Sequence, residues 1–260
     1  MRLAVVGASG RMGRAVVRLA KSAGIDVVCA VGATDVGRDA GELAGVGAIG
    51  TPVVDGLSAI ENSRADAIVD FSAPRLVHSL AALASSVGIP LVSGTTGLGD
   101  EESVALDRAA VRVAVLWEPN MSLGVHLLGR IVAQAVAALP DFDVEIVETH
   151  HRSKVDAPSG TALRLAETAQ RARASATRLV HGRAGIPGAR ASEEVGLHAV
   201  RGGDVIGDHV VHLLGIGERL ELVHRATTRD LFAQGALRAS RWIVGRAPGR
   251  YRLDDVLAGA

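Results

Sequence analysis

Residues 2–17 read RLAVVGASGRMGRAVV: an apolar run, a glycine-spaced turn and the start of an amphipathic segment. Leu3–Val6 has the continuous apolar character of a strand buried on both faces. Gly7, Gly10 and Gly13 follow at three-residue spacing. A strand that turns sharply into a helix needs a residue free of Cβ at the turn. It then needs room for close backbone approach, and a small residue where helix meets strand. The unpaired N–H groups at such a helix start point at an anion, and a dinucleotide pyrophosphate is the anion that this unit is built to hold. The spacing G-x-x-G-x-x-G is a variant of the dinucleotide fingerprint, read here as a cofactor turn against the alternative of a purely structural one.

Outward from this turn, strand-like and helix-like segments alternate. DVVCAV (26–31), ADAIVDFS (65–72), IPLVSG (89–94) and RVAVLW (112–117) read as strands, with RLVHSLAALASSVG (75–88) and EESVALDRAAV (101–111) as helices between them. That rhythm predicts an α/β domain with a parallel sheet covered on both faces. SGTTGL (93–98) and WEPNMSLG (117–124) follow strands, where a parallel sheet lines a ligand crevice, although taken alone ordinary Gly/Thr and Pro/Asn turns explain them better. A dinucleotide site commonly has an acidic residue at the end of the second strand. Gly32 and Ala33 occupy that place, with Asp35, Arg11, Arg14 and Arg38 nearby, so NADH and NADPH both stay open.

After Asn120 the pattern changes. A helix over about 121–139 leads to the alternating strand FDVEIVETHH (142–151), a shorter helix from Ser159, and a polar connection to about 190 whose Ala/Arg-rich part, 171–178, reads as an exposed helix end. Three closely spaced strands, VGLHAVRGG (195–203), DHVVHLLGI (208–216) and RLELVHRAT (219–227), predict a second, α+β domain with a mixed or antiparallel sheet. RDLFAQGALRASRWIVG (229–245) reads as the final helix.

The 28 Lys and Arg balance the 28 Asp and Glu, which gives no footprint for nucleic acid or an anionic membrane. Three Phe, two Trp and one Tyr leave a core built from Ala, Val, Leu and Ile. The single cysteine, Cys29, excludes a disulfide framework and is expected as a buried thiol. With a strand starting at residue 2, no leader is expected. MSLGVHLLGRIVAQAVAAL (121–139) carries His126, Arg130 and Gln134 and reads as a core helix rather than a membrane span, so a soluble cytoplasmic protein is expected.

The densest chemistry lies in ETHHRSKVDAPSGTAL (148–163). Pro158 and Ser159 open a helix whose first amides, at Gly160 and Thr161, suit a carboxylate or phosphate, and Lys154 neutralises such an anion. A histidine passes protons near neutrality. His150 and His151 are strand neighbours on opposite faces, which argues against a chelating pair, and no metal set is expected. A serine hydrolase built on Ser159 and His150 lacks the G-x-S-x-G elbow, although Glu148 shares a face with His150 and can reach its ring.

These segments, together with DFSAP (70–74), PNMSLGV (119–125), HAVRGGDVIGDH (198–209) and IGERLELVHRATTRDLFAQGAL (216–237), occur in order along nearly the whole chain. They resemble the 4-hydroxy-tetrahydrodipicolinate (dihydrodipicolinate) reductase family of diaminopimelate and lysine biosynthesis. The resemblance implies a Rossmann-type domain (1–120 and 230–260) and a substrate-binding and oligomerisation domain with an open mixed sheet (121–229). It implies a homotetramer, and reduction of a small cyclic dicarboxylate by NADH or NADPH. By motif, His150 is the acid–base residue and Lys154 the second catalytic residue, while His151, Ser159, Gly160 and Thr161 bind substrate. Gly7, Ala8, Ser9, Gly10, Arg11, Met12, Gly94, Thr95, Thr96, Glu118, Pro119, Asn120 and Met121 fall on the cofactor segments. The family commonly has an acidic residue followed by arginine where this chain has Gly32 and Ala33. A non-catalytic NAD(P) sensor and another two-domain oxidoreductase are the alternatives.

Overall fold

The apolar run at the start of the chain forms β1 (Arg2–Val6), in which Leu3 to Val6 are fully buried. The computed structural model describes residues 1–173 and 176–259, so the expected exposed helix end at 171–178 lies partly outside the described residues. In chain order there follow α1 (Arg11–Ser22), β2 (Asp26–Val31), α2 (Ala40–Ala44), β3 (Val53–Val54), a 3-10 turn (Leu57–Ile60), β4 (Ala67–Asp70), α3 (Pro74–Val87), β5 (Leu91–Ser93), α4 (Asp100–Ala110) and β6 (Ala114–Trp117). Then come α5 (Leu123–Ala138), β7 (Asp143–His150), α6 (Gly160–Ala172), β8 (Arg178–His181), β9 (Glu194–Arg201), β10 (Gly207–Leu214), β11 (Arg219–Ala226), α7 (Asp230–Ile243), β12 (Gly249–Tyr251) and α8 (Leu253–Ala258).

The chain divides into two units, 1–123 with 230–260, and 124–229. In the first, seven strands run in the order β12-β6-β5-β4-β1-β2-β3, all parallel. Small side chains let helices lie close on both faces. Ala15, Val16 and Ala20 of α1 and Ala233, Ala236 and Ala239 of α7 pack on one side, and Val77, Leu80 and Ala84 of α3 with Leu106 of α4 on the other. Cys29 is buried among the latter group, and burial pushes its thiol pKa up. The 229–245 segment forms α7, but it is not final. β12 extends the sheet beside β6, and α8 follows it.

The second unit is a five-stranded mixed sheet, β11-β10-β7-β9-β8. β10 is antiparallel to β7 and β11, whereas β9 is parallel to β7 and β8. β8 falls inside what reads in the sequence as an irregular polar connection. One face of the sheet packs Val144, Ile146, Leu197, Val211 and Leu213 against Leu128 and Val132 of α5 and Leu165 and Ala169 of α6. Alternation along β7 puts Glu148 and His150 on this covered side and Val147 and Thr149 on the other. Among the described residues, no helix is long and apolar enough to cross a membrane.

Candidate active site

In the first unit, the glycine turn lines an open crevice of about 590 Å³ together with Gly32, Thr34 and Phe71. Gly7 sits at φ +81°, and a Cβ there would lie 2.4 Å from the Phe71 carbonyl oxygen. Gly13 touches the same turn from the helix side, where a Cβ would lie 2.1 Å from the Gly7 carbonyl oxygen. The turn is also tied to β2, because the Gly7 and Ala8 amides both donate to Val31 O at 2.9 Å and the Ser9 hydroxyl donates to Thr34 O at 2.5 Å. The Arg11, Met12 and Gly13 amides, in the first turn of the helix and without intrahelical acceptors, suit an anion. A crevice that admits only glycine at its narrowest points, beneath a helix start, fits a dinucleotide.

The neighbouring loops owe their shape to a residue that the sequence does not single out. Asp70, at the end of β4, is fully buried and accepts hydrogen bonds from the hydroxyls of Ser72 (2.5 Å), Ser93 (2.7 Å) and Thr95 (2.7 Å). Gly94 lies against the Phe71 ring, where a Cβ would come within 2.2 Å, while Thr96 is exposed. Glu118 and Met121 are buried, Pro119 and Asn120 half-buried, and Asn120 Oδ1 accepts from the Ser122 amide at 2.9 Å. After β2, a Cβ on Gly32 would meet Ser9 Oγ at 2.1 Å, so a side chain at the usual acidic position requires Ser9 to give up its bond to Thr34 O. Asp35, at φ +59°, stands beyond it and is held by Arg14 at 2.9 Å and Arg38 at 3.0 Å.

In the second unit, His150 ends β7 and is 9% exposed, while its neighbour Glu148 is fully buried. Glu148 Oε2 accepts from His150 Nδ1 at 2.5 Å and from Arg201 Nη1 at 2.8 Å. Its Oε1 accepts from Arg201 Nη2 at 2.7 Å and from the Ser159 amide at 3.0 Å. Burial opposes ionisation of Glu148, yet the Arg201, His150 and Ser159 hydrogen bonds outweigh it and hold the carboxyl below its usual pKa. A carboxylate only accepts, so Nδ1 of His150 carries a proton. Nε2 points toward Gly207, where a Cβ would lie 3.0 Å from it.

Ser159 caps α6 by accepting the Ala162 amide on its hydroxyl at 3.2 Å; Gly160, the first helical residue, is exposed and Thr161 is half-buried. Lys154 is turned to Asp156 within its own loop, at 2.8 and 2.9 Å. His151 has left the strand and faces Arg229, whose Nη2 is 3.3 Å from His151 Nε2. The structure thus joins His150, Glu148 and Ser159 directly. It adds Arg201, Arg229 and Gly207, which come from distant strands and loops. Next to His150 lies His209, 5.4 Å away centroid to centroid and edge-on, then His224 at 6.2 Å. His209 is 3% exposed, and neither ring nitrogen has a partner among the described residues. Burial, then the charges of His150 and His224, lower its pKa to about 4, so it is neutral at physiological pH. Among the described residues, no cluster of three or more His, Cys, Asp or Glu is placed to hold a metal.

Comparison with known proteins bears on both units. Residues 1–121 match the family described as dihydrodipicolinate reductase, N-terminus, and residues 124–257 the corresponding C-terminus. A 4-hydroxy-tetrahydrodipicolinate reductase of Myxococcus xanthus is 45% identical, covering 99% of this chain and 97% of that one. Another from Archaeoglobus fulgidus is also 45% identical, covering 99% and 100%. The solved structure of a dipicolinate-bound dihydrodipicolinate reductase from Paenisporosarcina sp. TG-14 superposes with a TM-score of 0.79 at 25% identity, covering 97% of each chain.

Proposed function

The chain belongs to the dihydrodipicolinate reductase family, and from that premise we propose how its own residues carry out the reaction. It is an NAD(P)H-dependent oxidoreductase of diaminopimelate and lysine biosynthesis. 4-Hydroxy-tetrahydrodipicolinate, a cyclic dicarboxylate, takes up a hydride and a proton, loses water and leaves as tetrahydrodipicolinate. Bound NADH or NADPH supplies the hydride.

The first unit is the dinucleotide-binding domain, with the pyrophosphate at the start of α1 and the loops at Gly94–Thr96 and Glu118–Met121 around the cofactor. The second is the substrate-binding domain. One substrate carboxylate docks at the exposed Gly160 amide and the Thr161 hydroxyl, where the α6 dipole favours negative charge. Lys154 exchanges Asp156 for substrate, and His151 with Arg229 adds further positive or donor character. His150 delivers the proton from Nε2. The observation that carries this reading is the Glu148–His150 pair, because it leaves one nitrogen of a nearly buried imidazole free for proton transfer beside an anion-binding helix start. The outer face of the five-stranded sheet carries Val147, Val210 and Val223 in register, with Val223 exposed, which supports a homotetramer formed through that face. The cytoplasm, with its pool of reduced nicotinamide, is the proposed location.

The test is a steady-state assay with substrate made in situ by the upstream synthase. Substrate-dependent oxidation of NADH or NADPH is expected; cofactor binding without turnover would replace the reductase with a sensor.

A further inference from the structure

Glu148 does more than contact one ring nitrogen of His150: it is the most heavily engaged carboxylate in the second unit's site. It is fully buried, and each of its oxygens accepts two hydrogen bonds. A carboxylate offers about four acceptor positions, so Glu148 is saturated. Its partners come from three elements: His150 at the end of β7, Arg201 at the end of β9, and the Ser159 amide at the entrance to α6. Arg201 is fixed in turn, donating to Asp156 O and Val200 O at 2.7 Å each.

We infer that Glu148 is a positioning residue for the reaction. It holds His150 in the tautomer and orientation that present Nε2 to substrate, and through the Ser159 amide it locks that imidazole to the helix start that binds the substrate carboxylate. This rests on the proposed role of His150. A carboxylate at 2.5 Å from Nδ1 makes the Nδ1–H form the stable neutral tautomer and leaves Nε2 to face substrate. The link to α6 keeps the donor and the bound carboxylate in one geometry, and reaction rates are sensitive to displacements below 1 Å in such geometry. The charged and titratable groups around His150 are Glu148 on its own strand, Arg201 on β9, His209 on β10, His224 on β11, and Lys154 and Asp156 on the following loop. His209, held neutral by burial, adds no charge there above pH of about 4. Glu148 is therefore the only negative group in direct contact with the imidazole among the described residues.

The experiment compares Glu148→Gln, Glu148→Asp and His150→Gln with the unaltered enzyme, and adds ¹⁵N NMR of the histidine rings of the unaltered protein. Glu148→Gln should lower kcat at least about tenfold, within the range that general acid–base catalysis spans. The substrate KM should stay within about threefold and cofactor binding should be unchanged. Glu148→Asp, which keeps the acceptor carboxylate, should recover part of kcat. NMR, which needs no variant to fold, should show neutral His150 with the proton on Nδ1. Neutral His150 protonated on Nε2 would overturn the inference, as would a Glu148→Gln enzyme whose loss lies in KM rather than in kcat. If His150→Gln itself retains full turnover, the proton-donor reading fails and the inference fails with it. A crippled His150→Gln beside an unimpaired Glu148→Gln overturns the inference alone.

Discussion

Gly207→Ala is a one-methyl perturbation aimed at the proton donor. Gly207 begins β10 with ordinary backbone angles, so no turn requires glycine there; the requirement is space. An added Cβ would lie 3.0 Å from His150 Nε2, 3.5 Å from its Cδ2 and 3.6 Å from His209 Cε1. Relaxed contacts of this kind need about 3.5 Å, so the ring must retreat by about 0.5 Å at Nε2. Glu148 cannot follow, since Arg201 and the Ser159 amide anchor it. The imidazole therefore pivots about its Nδ1 bond by roughly 10–15°, at the edge of the tolerance for a preorganised site. A misplacement of about 1 Å costs on the order of a hundredfold, so about half that displacement is expected to lower kcat about tenfold, or about 1.4 kcal/mol. Stability should change by no more than ~1 kcal/mol, because the strand preference for Ala offsets the crowding. Steady-state kinetics and a denaturant titration of the same preparation read both quantities. A variant with kcat within twofold of the unaltered enzyme would refute the claim that Nε2 over Gly207 is the working nitrogen.

Three other outcomes follow from the same geometry. Glu145 has its pKa lowered to about 2: burial raises it, but hydrogen bonds from Arg183, His198 and Arg190 more than offset that. Because the folded pKa lies below the unfolded one, its contribution, at most about 3 kcal/mol, is complete above about pH 4.5 and is lost as pH falls toward about 2; equilibrium unfolding of Glu145→Gln across that window should lack this slope. His209, at about 4 against 6.5, is neutral in the fold and protonates more readily when unfolded. Stability should therefore decline as pH falls from about 6.5 to about 4, and a His209→Gln variant should decline less, as followed by thermal melts. Beyond Thr34, Arg14 and Arg38 share the single carboxylate of Asp35 and leave an excess of one positive charge next to the crevice, so Arg38→Ala should lower kcat/KM for NADPH about tenfold while leaving NADH within about twofold. Equal losses with both cofactors would remove Arg38 from the reading of the 2′-phosphate.

The parts of the fold legible in the sequence are those encoded locally. The glycine turn states its own geometry, because Gly7 and Gly13 meet across six residues. The Glu148–His150 contact follows from strand alternation, which puts residues i and i+2 on one face. Arg201, Gly207 and His209 are illegible for the opposite reason. They join His150 only through the register of β7 with β9 and β10, set by packing more than fifty residues away in the chain. Asp70 was hidden likewise, since an aspartate after AIV reads as a strand end, and its three hydroxyl partners are scattered over residues 72–95. β8 and β12 are short strands in arginine-rich surroundings, where alternation carries little signal, and they exist because a neighbouring strand offers them an edge.

The most direct test of the central claim is a single comparison of His150→Gln with the unaltered enzyme. kcat is measured with substrate generated in situ, and NADPH affinity is measured by fluorescence titration on the same samples. Turnover should fall by about two orders of magnitude or more, the share that a positioned acid supplies, with cofactor affinity unchanged. Turnover that survives the substitution would contradict the central claim and move the proton source to another group.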